Sequence, residues 1–226
     1  MYIHVSPEHT KWSFSFVSSN CTLVKFSLET EPSVLIWDDG YSSAAMDFSC
    51  YKPCPHTTNQ KVVGHFGVNQ KKKVKVPQTF VVKATGRLAT SAFARPEKFI
   101  KIWDDSGSGA HKDGSIWRMK CPTGYAGLSD LCSRGHDATP SVTDVWCIKN
   151  EYLEPEMRDN LIWESTGSGA DTVDINGGKS KLTKFMVSAT LSRGLTTSNS
   201  AIKKDLIGQY WFYEKYYHRQ DYPWTS

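Results

Sequence analysis

Residues 101–117, KIWDDSGSGAHKDGSIW, contain the residue types that bind metal ions and phosphates in proteins. Three carboxylates, those of Asp104, Asp105 and Asp113, are oxygen ligands of the kind that calcium prefers. The glycines within 107–109 could present backbone N–H groups to a phosphate. A third interpretation is structural, because Asp, Ser and Gly also build tight turns. Each interpretation predicts a different kind of protein.

The phosphate interpretation fits this stretch poorly. A P-loop needs Gly-x-x-x-x-Gly-Lys-Ser/Thr and then a helix whose N-terminus faces the phosphates. Here Gly109 is followed by Ala, His, Lys, Asp and Gly and then by a predicted strand. A helix that could orient a phosphate is therefore not predicted.

An EF-hand calcium site is also poorly supported by this stretch. Acidic and hydroxyl residues alternate from Asp104 as EF-hand ligands do, but Ser115 stands where a bidentate Glu is required. A looser calcium site formed by Asp104, Asp105 and Asp113 stays open as an alternative. The prediction for the chain is that it has no metal and no cofactor.

The stretch recurs twice elsewhere in the chain. The same pattern occurs at 35–44 and 161–170: an aliphatic residue, then Trp, then an acid, and then a turn that ends in Ser-Gly or Ser-Ala. Three copies favour a turn shared by three structural units, since a catalytic site rarely needs three copies. Repeated ligand pockets would show the same pattern. The candidate ligand-binding acids are therefore Asp38, Asp39, Asp104, Asp105, Asp113 and Glu164.

Strands are predicted to position these turns, because stretches with alternating apolar and polar residues dominate the chain. The predicted fold class is all-β. The threefold repeat predicts a β-prism-like arrangement of three four-stranded units around a pseudo-threefold axis. These units span roughly 30–95, 96–158 and 159–215 of one domain, which N-terminal strands within 10–29 complete. A β-trefoil is the alternative, although its repeats are usually shorter.

The six cysteines include no CxxC pair and no spacing typical of zinc sites. Cys132 and Cys147 lie on two strands that we expect to pair, so a disulfide between them is predicted. Cysteine usage leans slightly towards an oxidising compartment. A peripheral membrane or extracellular location is therefore favoured over a cytoplasmic one.

Two further segments are candidate contact surfaces. The basic run Lys71, Lys72 and Lys73 is interpreted as a solvated loop or edge guard, with contact to anionic lipid as the alternative. The C-terminus is rich in aromatic residues, which pack on the core or form a membrane-interface or glycan-binding belt. The candidate residues of that belt are Trp211, Tyr213, Tyr216, Tyr217 and Trp224.

The chain has no recognisable catalytic constellation. None of its seven histidines lies in a Ser/His/Asp or His-x-Glu setting. The neighbouring acids of each Asp-Asp pair point apart on a strand, so they are poor acid/base partners. The formal net charge of +4 is too mild to indicate nucleic acid as a partner. We therefore expect a protein that is not an enzyme.

The segments IWDDSGSGAHKDGSIWRMKCPTGYAGLSDLCSRG and VWCIKNEYL resemble the repeat of the Vps62 (vacuolar protein sorting-associated) family. Similar repeats build the adaptor-binding region of Vps13 lipid-transfer proteins, and related β-prism modules occur in some perforin-like proteins. The resemblance is specific over 101–150 and good over 34–68. It implies an all-β, non-enzymatic module linked to membranes or trafficking, and it transfers no catalytic residue.

The predicted function is recognition of a membrane surface, a lipid headgroup or a glycan, within a trafficking or pore-forming system. The alternative is a protein-interaction module that binds an adaptor peptide at a sheet edge during vesicle sorting. The predicted partners are thus membrane lipid or glycan, with a protein partner as the second choice and the oligomeric state left open.

Overall fold

The structure is a computed structural model that describes residues 23–69, 79–180, 182, 184, 186–191 and 199–207. Strands dominate these residues, which confirms the predicted all-β class. Three short 3-10 helices lie at Ala89–Ala92, Asn150–Tyr152 and Lys204–Leu206. Among the described residues, no helix has the length and apolar character needed to cross a membrane.

Sixteen strands, β1 to β16, follow one another along the described residues. They are β1 Lys25–Glu31, β2 Ser33–Asp38, β3 Phe48–Pro53, β4 Phe66–Asn69, β5 Thr79–Thr85, β6 Phe93–Ala94, β7 Lys98–Asp104, β8 Gly114–Lys120, β9 Tyr125–Ala126, β10 Leu131–Arg134, β11 Cys147–Lys149, β12 Leu153–Glu156, β13 Arg158–Glu164, β14 Val173–Gly178, β15 Ala189–Leu191 and β16 Asn199–Ile202.

Three sheets of the same topology carry the three sequence repeats. Each is antiparallel, with its strands in chain order: β2-β3-β4, β7-β8-β10 and β13-β14-β15. Each therefore has three strands in the described residues, where the sequence predicts four. The remaining strands pair in small sheets of their own, β1-β5, β6-β11-β9 and β12-β16. These pairings join segments far apart in the chain, so local patterning does not reveal them.

A β-bulge lies at the same place in the first strand of each sheet. The register shifts between Leu35 and Trp37, between Lys101 and Trp103, and between Leu161 and Trp163. In each case the isoleucine before the Trp is the extra residue opposite the partner strand. Because a bulge changes where the following side chains point, it helps to direct the three tryptophans inward.

The three tryptophans meet in one core cluster. Trp37, Trp103 and Trp163 are each less than 5% exposed. Their ring centroids lie 5.8 Å apart for Trp37 and Trp103, 6.4 Å for Trp37 and Trp163, and 5.6 Å for Trp103 and Trp163. Burying three indoles at one point ties the three sheets together, since large aromatic rings contribute most to the free energy of a core.

A second cluster packs beneath the small sheets. Phe26 on β1 lies edge-on to Phe93 and Tyr152, with centroid distances of 5.9 and 5.5 Å. Strand β1 pairs with β5 over its whole length. Residues 10–22, where further N-terminal strands are predicted, lie outside the described part of the chain.

The predicted Cys132–Cys147 disulfide is wrong. Cys132 bonds to Cys50 and Cys147 bonds to Cys121. The prediction assumed that the strands of Cys132 and Cys147 are neighbours. Instead β10 pairs with β8, whereas β11 pairs with β6 and β9. The Cys50–Cys132 bond spans 82 residues and links the sheet of the first repeat to that of the second.

Candidate recognition surface at the three turns

The three sequence copies of the opening motif form turns between the first two strands of each sheet. We call residues 39–47 the first turn, 105–113 the second turn and 165–172 the third turn. Each turn is closed by a side-chain oxygen that accepts a hydrogen bond from the backbone N–H of the first residue of the next strand. The pairs are Asp39 Oδ1 with Phe48 at 2.6 Å, Asp105 Oδ1 with Gly114 at 2.9 Å and Ser165 Oγ with Val173 at 2.8 Å.

A serine makes a second bond of the same kind within each turn. Its hydroxyl oxygen accepts a hydrogen bond from the backbone N–H two residues later. The pairs are Ser42 with Ala44 at 3.3 Å, Ser108 with Ala110 at 3.1 Å and Ser168 with Ala170 at 3.2 Å. Such side-chain bonds to nearby N–H groups are typical of Asp and Ser in turns. Asp39 and Asp105, both 3% exposed, thus serve first to build the turns.

Each tryptophan of the core reaches into the turn of another sheet. The indole N–H of Trp37 donates to Lys112 O at 2.8 Å in the second turn. In the same way Trp103 donates to Asp171 O in the third turn at 2.6 Å. Trp163 then closes the cycle by donating to Met46 O in the first turn at 2.8 Å. These cyclic bonds bring the three turns together.

The turns also touch one another directly through their backbones. Ala45 N donates to Thr166 O at 3.3 Å, and His111 N donates to Gly40 O at 3.3 Å. The second and third turns pass so closely that a Cβ atom added to Gly169 would lie 2.5 Å from Gly107 O. The convergent ends form one surface, which we call the turn surface. Its exposed residues are Tyr41, Ser43, Ala45, Asp47, Ser106, Gly107, Gly109, His111, Lys112, Asp113, Thr166, Gly167, Gly169, Asp171 and Thr172.

Tyr41 stands out on the turn surface, and sequence reasoning missed it. It is 80% exposed, and its backbone takes a left-handed conformation with φ of 69°. The second and third turns place Gly107 and Gly167 at the same position, with φ of 87° and 84°. The Tyr41 ring stacks on His111, with centroids 4.0 Å apart and an interplanar angle of 15°. Aligning the three copies would have revealed one tyrosine at a glycine position.

The outer acids of the first two copies form ion pairs with lysines instead of joining the inner acids. Asp38 pairs with Lys112 at 2.7 Å, and Asp104 pairs with Lys101 at 2.9 Å. Glu164 ends β13 at the corresponding position of the third copy. The structure therefore separates Asp104 from the calcium site that the sequence left open.

Asp105 and Asp113 approach His136 instead. His136 Nε2 lies 2.8 Å from Asp105 Oδ1 and 3.6 Å from Asp113 Oδ1. One nitrogen and two oxygens at such separations could hold a cation. However, Asp105 Oδ1 already accepts the turn-closing bond from Gly114, so a cation would compete with the turn for that atom.

Two of the buried titratable groups, Asp39 and His65, have strongly shifted pKa values. Burial raises the pKa of Asp39 from 3.8 to about 6, although hydrogen bonds from Phe48 and Trp163 oppose this shift. Burial also lowers the pKa of His65 from 6.5 to about 3. His65 Nδ1 accepts a hydrogen bond from Cys132 N at 3.1 Å, so this ring is held in its neutral form.

The remaining predicted contact residues lie outside the described part of the chain. They are Lys71, Lys72, Lys73, Trp211, Tyr213, Tyr216, Tyr217 and Trp224. Their roles stay predictions.

Comparisons with known proteins agree with the repeat and the fold. The family model of vacuolar protein sorting-associated protein 62, Vps62, matches residues 27–201, about three quarters of the chain. Among solved structures, GNIP1Aa from Chromobacterium piscinae is similar, with a TM-score of 0.68 at 22% sequence identity. The similarity covers 81% of this chain and 38% of GNIP1Aa, so this chain spans well under half of that protein. At this identity the likeness concerns the fold alone. No curated protein sequence matches the chain.

Proposed function

Because the chain belongs to the Vps62 family of vacuolar protein sorting-associated proteins, we propose that it is a non-enzymatic module that recognises the polar surface of a membrane. The turn surface is the contact region in this proposal, and lipid headgroups or membrane glycans are the ligands. The observation that carries the proposal is the convergence of three exposed turns on one rigid core of tryptophans. Loops held by a rigid scaffold are the usual place for binding residues.

The composition of the turn surface supports a polar ligand. Its residues are mainly Ser, Gly, Thr, Asp, Lys and His, which offer hydrogen-bond donors and acceptors without a large apolar patch. Hydrogen bonds within and between the turns hold the surface in shape before a ligand arrives. A preformed surface loses little conformational entropy on binding.

The two disulfides favour a location in an oxidising compartment. Cys50–Cys132 and Cys121–Cys147 would be reduced in the cytosol, where disulfides are rare. We therefore place the recognised surface on the extracellular or luminal side of a membrane. This location fits the membrane proposal better than an adaptor module working in the cytosol.

Vesicle flotation with the full, oxidised chain tests the proposal. The vesicles contain phosphatidylcholine alone, phosphatidylcholine with phosphatidylserine, or phosphatidylcholine with a neutral glycosphingolipid fraction. Binding in the second arm identifies charged headgroups, and binding in the third identifies glycans. If the chain floats with none of the three, the proposal is wrong.

A pair of charge variants locates the contact. Ser43→Glu with Thr166→Glu adds two negative charges to the turn surface, where both residues are exposed. Thr58→Glu with Val142→Glu adds the same charge at exposed positions outside the turns. We expect only the first pair to weaken flotation. If Lys71, Lys72 and Lys73 contribute, replacing all three with serine will weaken binding to phosphatidylserine but not to the neutral glycosphingolipids, because these residues act through charge.

A further inference from the structure

We infer that Tyr41 and His111 form a stacking platform for a sugar ring, which makes a glycan the ligand of the turn surface. This inference rests on the proposed function and names its ligand class and its main contact residue. It starts from a difference between the three turns, which are otherwise built alike.

The fold itself does not require a tyrosine at position 41. The equivalent positions, Gly107 and Gly167, show that glycine closes the same turn in the other two sheets. A non-glycine residue in the left-handed region carries backbone strain. Since the Tyr41 side chain is 80% exposed, burial of its ring offsets little of that strain. An aromatic ring kept at a strained, exposed position points to a role in binding.

The geometry of the pair suits a ring-shaped ligand. His111 covers one face of Tyr41 at a centroid distance of 4.0 Å, while the exposure of Tyr41 leaves the rest of its ring open to solvent. The bond from His111 N to Gly40 O fixes the two turns relative to each other, so the rings are held in place. The negative face of an aromatic ring attracts the polarised C–H groups of a pyranose.

Polar groups next to the platform can bind sugar hydroxyls. Lys112 follows His111 and pairs with Asp38, whose Oδ1 also accepts a bond from Gly40 N at 3.2 Å. This pair offers both a donor and an acceptor beside the stacked rings. Lys112 also lines an open depression of about 480 Å³ together with Asp113, Arg134 and Gly135. The depression has room for a second sugar unit.

The surroundings of Tyr41 favour a sugar over the apolar interior of a bilayer. Within the three turns, all of which the structure describes, Tyr41 and His111 are the only residues with aromatic rings. The neighbours are serine, glycine and charged residues. Stable insertion into lipid needs several apolar side chains on one face, which the turns do not supply.

The test compares wild type with Tyr41→Gly and Tyr41→Trp on an array of immobilised mono- to hexasaccharides. Tyr41→Gly removes the ring and installs the residue that the other two turns use. We expect it to lose binding to the wild-type glycans by at least about tenfold, while its thermal midpoint stays the same or rises. Tyr41→Trp keeps an aromatic face and should bind the same glycans within a few-fold of wild type.

Three other outcomes would contradict the stacking platform, the membrane proposal or both. If Tyr41→Gly binds the same glycans as tightly as wild type, or if it unfolds at a lower temperature, Tyr41 is not a ligand platform. If wild type binds no glycan on the array but floats with phosphatidylserine vesicles, this inference is wrong and the membrane proposal stands. If it binds neither, both are wrong.

Discussion

Trp163 donates a hydrogen bond from its indole N–H to the buried carboxylate of Asp39, at 3.0 Å to Oδ2, across 124 residues of sequence. The bond joins the third sheet to the first turn. It also places a titratable group at the centre of the contact between repeats. The stability of the fold should therefore depend on pH through Asp39, because burial raises the pKa of this carboxyl group to about 6.

Asp39→Asn should change how stability depends on pH. In wild type the pKa of Asp39 is about 6 in the folded state, whereas its ordinary value is 3.8. The contribution of Asp39 to the free energy of unfolding is therefore fully present below pH 3.8 and is lost as the pH rises to about 6. The variant side chain does not titrate, but its amide oxygen can still accept the hydrogen bond from the Phe48 N–H. We expect the stability of wild type relative to the variant to fall by about 3 kcal/mol between about pH 4 and pH 6. Urea denaturation across this range measures the difference, and parallel curves would contradict the assignment.

His65 acts in the opposite direction. Its folded pKa of about 3 lies below the ordinary 6.5, so its contribution is present above 6.5 and is lost as pH falls. His65→Asn keeps an acceptor for Cys132 N without the titration. Relative to this variant, wild type should lose about 1.4 kcal/mol for each pH unit below 6.5. The contributions of Asp39 and His65 to stability therefore oppose each other between about pH 4 and pH 6.

The sequence predicts the repeats and many of the strands, because both depend on local alternation and on turn residues. Trp37, Trp103 and Trp163 occupy the same position of the repeat, and all three are buried. The disulfide partners were predicted wrongly, because they depend on which distant strands become neighbours. Tyr41 was missed for a different reason. Its signal is a backbone angle, visible only when the turn is compared with its two glycine-containing copies.

The two disulfides should stabilise the fold to different extents. The Cys50–Cys132 bond closes 82 residues and the Cys121–Cys147 bond closes 26, so the first restricts the unfolded chain more. We expect Cys50→Ala with Cys132→Ala to lower the free energy of unfolding by about 4 kcal/mol, and Cys121→Ala with Cys147→Ala by about 3 kcal/mol. Denaturation under non-reducing conditions measures both. Peptide mapping that finds Cys132 bonded to Cys147 would contradict the assigned pairs.

Gly114 is expected to be the glycine that tolerates substitution worst in the second turn region. A Cβ atom there would lie 2.1 Å from Cε2 of Trp37, inside the packed tryptophan cluster. Gly114→Ala should therefore lower the free energy of unfolding by about 3 kcal/mol, the upper end of overpacking effects. Gly109→Ala is the control, because a Cβ atom there meets nothing within 4 Å and only the left-handed backbone, with φ of 71°, opposes it. We expect the control to lose about 1 kcal/mol. Equal losses in thermal and urea denaturation would show that the close contact between Gly114 and Trp37 does not limit the packing of the core.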